Sequence, residues 1–465
     1  LKELVEEGVV DIKYVDEAVK RILLKKFQLG LFDDPYRYCD EEREKKIVLS
    51  ARLRDLSRES GRKSVVLLKK QALPLSPSCG RIALIGALAN SQKDMMGFWA
   101  NEGVEKEVVT VYEGLKRRFP NVTVNYADGY DLETNDLRLS EARAAANRAD
   151  VIVVAVGERF NQSGEAKSRA DITVNANQQL LVKELKKTGK TVIVLLMGGR
   201  PMIFNDMEPH ADAILLTWWL GTESGNAIAD IISGDYNPSG KLTSTWYNAL
   251  SDLPNGMLNY DIRDAKYTYM YHDKTPLYPF GYGMSYTTFE YQKLNISKSR
   301  LAAGEEVIVS ADITNTGKYA GAEIVQLYAH VNSSIERPLK QLVGFARVEL
   351  EPGETKTVTM PLKHEQLSYF NEQTNTFDVE EGSVDIYVAA SSADVRLTGK
   401  INTEAATVKT TYKSAPTGIQ DVINNLKLQN DRIYNISGYC VGTVEDFERL
   451  PKGFYIVGNK KVIKQ

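Results

Sequence analysis

Cysteine is scarce: Cys39, Cys79 and Cys440 are the only three in 465 residues. An odd and widely spaced set cannot close a disulfide framework, so they read as incidental thiols. His210, His272, His330 and His364 show no ligand spacing with one another or with cysteine, which argues against a structural zinc site. No apolar run approaches the roughly 20 residues needed to span a bilayer. The start lacks the character of a secretory signal, but the chain opens on Leu1 instead of Met, so that absence is uninformative. An excess of one charge is missing too. Lys plus Arg number 58 against 61 Asp plus Glu, a net charge of -3, and such a balance gives no electrostatic reason to expect a nucleic-acid partner.

What is present suits an ordinary globular protein. The 43% hydrophobic content is enough for packed cores, and the length has room for two to four domains. The 24 tyrosines fit extensive β-structure or polar-aromatic surfaces.

Asp11 caps an amphipathic helix in which Val15, Val19, Ile22, Leu23 and Phe27 recur at helical spacing before Gly30 ends it. Such a stripe needs an apolar partner. Pro35 marks a turn and linker, and a second helix is expected over residues 45–62. Apolar strand runs at 82–85, 122–126, 151–156, 192–196 and 213–217 then alternate with helical patterns at 111–119, 140–148, 175–187 and 225–232. That alternation predicts a doubly wound, mostly parallel sheet. The turn after its first strand reads GALAN, without the spaced glycines that admit a pyrophosphate, so a dinucleotide site is disfavoured. From about Tyr286 the period becomes two, at 307–314, 322–331, 341–350, 356–362 and 383–389, which predicts a β-sandwich of about 110 residues. Residues 403–430 are polar and rich in Thr, Lys and Asn, and a small hairpin unit is expected at the C-terminus.

The run 151–156 is apolar throughout, as a strand covered on both faces requires. It ends at Gly157, and the polar loop beyond holds Glu158 and Glu165, with Gly164 permitting a sharp turn. In open α/β sheets ligands gather at the carboxyl ends of strands. A carboxyl placed there can protonate a leaving group if burial or a second carboxylate raises its pKa, one half of the pair that cleaves glycosidic bonds. Arg169 can pair with a carboxylate or touch sugar hydroxyls. Trp99, Trp218 and Trp219 are candidates for stacking on a sugar face, with core packing the commoner fate of such residues.

SGEAKSRADITV, at residues 163–174, followed by Gln178, resembles the acid/base loop of glycoside hydrolase family 3 β-glucosidases. RILLKKFQLGLFDDPY, SVVLLKK, TWWLGTESGNAIADIISGDYNPSGKL and PLYPFGYGMSYTTFEY resemble the same family in order and spacing, so the likeness runs over roughly residues 1–400. It implies Glu165 as the catalytic acid/base, with Glu158 as the competitor because some relatives use a glutamate directly after the strand. No metal or organic cofactor is implied. The fold it implies is α/β plus all-β: an α/β sandwich followed by a fibronectin type III-like β-sandwich.

By that resemblance residues 1–40 are the remnant of an N-terminal (β/α)8 barrel and its linker, and 41–250 the α/β sandwich with the acid/base loop. A connecting segment occupies 251–285, the fibronectin type III-like domain 286–402, and a linker with a tail unit 403–465. The nucleophilic aspartate would lie on the barrel, which these residues lack, so the chain reads as a fragment inactive by itself. The expected partners are a β-linked oligosaccharide or glucoside and the missing barrel. The expected activity is that of a retaining exo-β-glucosidase, with β-xylosidase activity or a non-catalytic carbohydrate-binding surface module as alternatives. The IYNISG and LPKGFYIV segments are similar to the tails of exported Bacteroidetes proteins, which implies a periplasmic or extracellular location.

Overall fold

The computed structural model describes residues 1–253, 275–408, 432–435, 440–443, 449–451, 453–457 and 460–464. His272 and most of the 403–430 segment lie outside the described residues, as does much of the 251–285 connection. Contacts divide the chain into two units, residues 51–408 and residues 1–50 with 409–465.

In the larger unit, strands β1 (Val66–Lys70), β2 (Ile82–Ile85), β3 (Val124–Ala127), β4 (Val151–Gly157), β5 (Thr191–Met197) and β6 (Ala213–Leu216) form one sheet in the order β1-β6-β5-β4-β2-β3. All pairings are parallel except that of β1 with β6. Every residue of β4 is buried, because helices cover both faces as the unbroken apolar run requires. The helices Leu139–Asn147 and Ala176–Lys186 pack together, and Ala51–Ser64, Val111–Arg118 and Ser224–Ser233 form the other group. From β2 the chain winds outward to β3, then returns to place β4 on the other side of β2. The loops leaving β2 and β4 therefore diverge at a topological switch point, where doubly wound sheets open a crevice.

Residues 45–62 do not form the single helix expected. Helices Glu41–Ile47 and Ala51–Ser64 are separate, since Val48 is extended and Leu49 takes a positive φ of 56° that no helix tolerates.

The β-sandwich follows the period-two pattern. In Glu306–Asn315, Val307, Val309, Ala311 and Ile313 point into the core while their neighbours face outward. Its five-stranded sheet runs Gln341–Leu350, Gly321–Val331, Gly382–Ser391, Asp394–Thr403, Arg300–Leu301, against a three-stranded sheet of Thr355–Lys363, Glu306–Asn315 and Phe289–Ile296. Side chains join it to the α/β domain: Asn237 donates to the Ala320 carbonyl (3.0 Å) and Gln326 to that of Gly281 (3.0 Å).

In the smaller unit the helix Ile12–Gln28 is capped by the Asp11 carboxylate, which accepts from the Lys13 amide, and buries none of its residues. The described C-terminal strands, Arg432–Asn435, Cys440–Thr443, Gly453–Val457 and Lys460–Lys464, form an antiparallel sheet. No helix among the described residues is long and apolar enough to cross a membrane.

Candidate active site

The loop after β4 starts from Gly157, whose φ of 131° and proximity to β5 exclude a side chain: a Cβ there would stand 1.9 Å from the Met197 carbonyl. The Gly157 amide donates to Gln178 Oε1 (2.7 Å) and the Glu158 amide to the Met197 carbonyl (2.8 Å). Asp94, buried in the loop after β2, accepts from the Phe160 amide (3.0 Å) and lies 3.6 Å from Arg159 Nε. The base of the loop is thus pinned by groups on the neighbouring strand β5, the next helix and the segment after β2.

The two candidate carboxylates have opposite surroundings. Glu158 is only 4% exposed. Its Oε1 accepts from Arg169 Nη1 (2.7 Å), and its Oε2 stands 3.3 Å from Arg200 Nε in an ion pair whose angle gives no hydrogen bond. Burial pushes the Glu158 carboxyl above the usual carboxylate range, against the pull of the two guanidinium groups. Glu165 is exposed in a turn, and its side chain has no hydrogen bond or ion pair among the described residues. An exposed carboxyl at the sheet's rim is accessible to a leaving group; one enclosed by two arginines is not.

That turn is tightly built. Gly164 has a φ of 139°, and a Cβ on it would meet the Phe98 ring at 2.4 Å. The Lys167 amide donates to the Gly164 carbonyl (3.2 Å), and Ala166 also has a positive φ, 57°. Phe98 packs edge-on against Trp99 with ring centroids 5.2 Å apart, and Trp99 is 64% exposed. From the loop after β6, Trp219 donates its indole N–H to the Glu158 carbonyl (3.3 Å) and lies against Gly97 and Gly199. Trp218 donates to the Ser64 carbonyl (3.0 Å) and packs edge-on to Trp246.

Loops from β2, β4, β5 and β6 therefore meet at one edge of the sheet. Residues 65–286 match the Glycosyl hydrolase family 3 C-terminal domain, and residues 323–392 match a Fibronectin type III-like domain. The chain belongs to glycosyl hydrolase family 3. Over 434 residues it is 38% identical to the periplasmic β-glucosidase of Salmonella typhimurium, covering 85% of this chain and 56% of that protein. Over 404 residues it is 37% identical to a β-xylosidase of Formosa agariphila, covering 84% of this chain and 56% of that protein. The crystal structure of a β-glucosidase from Listeria innocua with glucose superimposes with a TM-score of 0.75 at 37% identity, covering 87% of this chain and 56% of that one. The chain thus spans little more than half the length of these relatives.

Within this family 3 domain the structure brings together Glu158, Arg169, Trp219 and the turn bearing Glu165. It anchors Trp218 and Trp219 as packing residues and leaves Trp99 beside the turn. Sequence reading missed Arg200 and Asp94. The signal that would have found Arg200 is the same one that found Glu158: a charged residue just past the carboxyl end of an apolar run, here MGGR after β5.

Proposed function

We propose that this chain supplies the general acid/base, Glu165, of a retaining exo-β-glycosidase that removes terminal non-reducing β-D-glucosyl residues. The observation that carries the reading is the exposed Glu165 carboxyl at the rim of a family 3 domain, while the competing Glu158 is enclosed by Arg169 and Arg200. In this reading an aspartate on a barrel domain outside these residues attacks the anomeric carbon. Glu165 protonates the departing oxygen, then takes a proton from the water that releases the sugar. Retention requires the two carboxyls about 5 to 5.5 Å apart, so the loop must present Glu165 at a defined place. In this reading residues 1–465 assayed apart from the domain that bears that aspartate turn nothing over.

The glucosyl preference rests on the Salmonella and Listeria relatives; the Formosa relative supports a β-xylosidase as the second reading. The periplasmic relative and the tail's likeness to exported proteins support an envelope or extracellular location.

The test is Glu165→Ala in the complete enzyme, assayed on aryl β-glucosides of graded leaving-group ability. Loss of the acid lowers kcat/KM by about 10²-fold or more on phenyl glucoside and far less on dinitrophenyl glucoside, which needs no proton. Equal losses on both overturn the assignment. The same series on aryl β-xylosides separates the two sugar readings.

A further inference from the structure

The turn that carries Glu165 includes one unfavourable backbone position. Gly164 and Ala166, on either side of it, both have positive φ; glycine takes that region freely, but an alanine stays there only where its surroundings fix it. Yet the Glu165 side chain has no partner among the described residues. What fixes the turn must act on its backbone.

One side chain does so from both ends. Arg200 Nη2 donates to the Gln162 carbonyl (2.5 Å) and to the Lys167 carbonyl (3.0 Å), three residues before Glu165 and two after it. The same guanidinium turns its Nε toward Glu158 Oε2 at 3.3 Å, and Glu158 is held by Arg169 Nη1 at 2.7 Å and through its backbone by Trp219. Arg200 itself is mostly buried, its side chain 19% exposed. A planar guanidinium can serve carbonyls and a carboxylate at once, and an ammonium on a flexible stem cannot reproduce that fork. The adjacent Gly199 leaves no room for a side chain, since a Cβ would stand 2.9 Å from both Ser163 Oγ and Trp219 Cζ3, so the approach of Arg200 to the turn is set by packing as well.

We infer that Arg200, braced by the buried Glu158, is the positioning residue that brackets Glu165 and holds the proton donor at the rim. It touches no substrate; it acts through the turn. This rests on Glu165 being the acid/base.

The experiment compares Arg200→Ala and Arg200→Lys with Glu165→Ala in the complete enzyme, using phenyl and dinitrophenyl β-glucosides. The expected result for Arg200→Ala is a loss of roughly 10² in kcat/KM on the phenyl substrate with little loss on the dinitrophenyl one. Arg200→Lys shows the same selectivity with a smaller loss, and it carries the comparison if circular dichroism finds Arg200→Ala unfolded. The Arg200→Ala, Glu165→Ala double variant is no slower on phenyl glucoside than Glu165→Ala alone, because one removes the placement of a group the other deletes. Selective loss in Glu165→Ala beside equal losses on both substrates in the Arg200 variants overturns this inference alone. Equal losses in Glu165→Ala overturn it together with the acid assignment.

Discussion

Lys241 Nζ stands 3.0 Å from Glu323 Oε1, and both side chains are nearly enclosed where the α/β domain meets the β-sandwich. Removing one partner of an enclosed ion pair strands the other charge, whereas replacing both with apolar groups is often neutral. Lys241→Met should therefore destabilise the chain by about 3 kcal/mol, and Lys241→Met with Glu323→Leu should recover most of that loss. Thermal unfolding of the parent, the single variant and the double variant measures it. A single variant as stable as the parent would show that Glu323 tolerates solitude.

A pair enclosed on one side only, with Asp230 buried and the Arg58 side chain 39% exposed, secures the helix Ala51–Ser64. Arg54, Arg58 and Arg62 recur every four residues, so they share one face. Arg58 donates through Nε to Asp230 Oδ2 (2.7 Å) and through Nη2 to Oδ1, and Arg62 Nη1 lies 3.6 Å from Oδ2. Asp230 is 2% exposed. Arg58→Ala should cost on the order of 2 kcal/mol in urea unfolding, less than a fully enclosed pair because Arg58 is partly exposed and Arg62 stays near the carboxylate, and Arg58→Lys should recover only part because the two-toothed contact is lost. An unchanged midpoint in Arg58→Ala would mean that Arg62 alone satisfies the carboxylate.

Gly164→Ala tests the turn directly. The added methyl meets Phe98 and sits on a φ of 139°, so the turn must shift. The expected outcome is a stability change of about 1 kcal/mol with a loss near 10²-fold on poor leaving groups, read from kcat/KM and thermal unfolding together. Wild-type rates on phenyl glucoside would show that the turn has slack.

The pH dependence of stability isolates Glu158. Its folded pKa is raised above the ordinary value of 4.5, chiefly by burial. The folded chain therefore holds this proton more tightly than the unfolded one. The group's contribution to folding is complete below the unfolded pKa and is lost as pH rises through the folded one. Glu158→Gln cannot ionise, so between about pH 4.5 and neutrality its unfolding free energy should fall less steeply than that of the parent. Parallel slopes would place the folded pKa at the ordinary value.

Much of this was legible in the residues. β4 and β5 are unbroken apolar runs, and burial on both faces is the only environment that suits them, so their place in a covered sheet follows from composition. The period-two strands of the sandwich are equally plain. That a carboxyl stands on the loop after β4 was legible from the strand's end, but the choice of Glu165 over Glu158 came from the likeness of SGEAKSRADITV to the family's loop, not from position. What holds it was not, because Arg200 bonds main-chain carbonyls, and a carbonyl acceptor leaves no trace in a residue's identity. The break at residues 48–50 escaped for a related reason: Leu49 favours helix, and only its backbone, at φ 56°, ends one. For Trp218 and Trp219 packing was the commoner expectation and a sugar platform the lesser one, and their indole N–H groups are tied to the Ser64 and Glu158 carbonyls.

Since the oxygens gripped at positions 162 and 167 belong to peptide groups, every amino acid offers them. The letter at Lys167 can drift, and with it whatever the loop shows to an aglycone, while the grip itself persists; Gln162 is more constrained, because its side chain also accepts from the Arg159 amide (2.8 Å). Redesign aimed at new leaving groups has its widest latitude at Lys167, and its narrowest at Arg200.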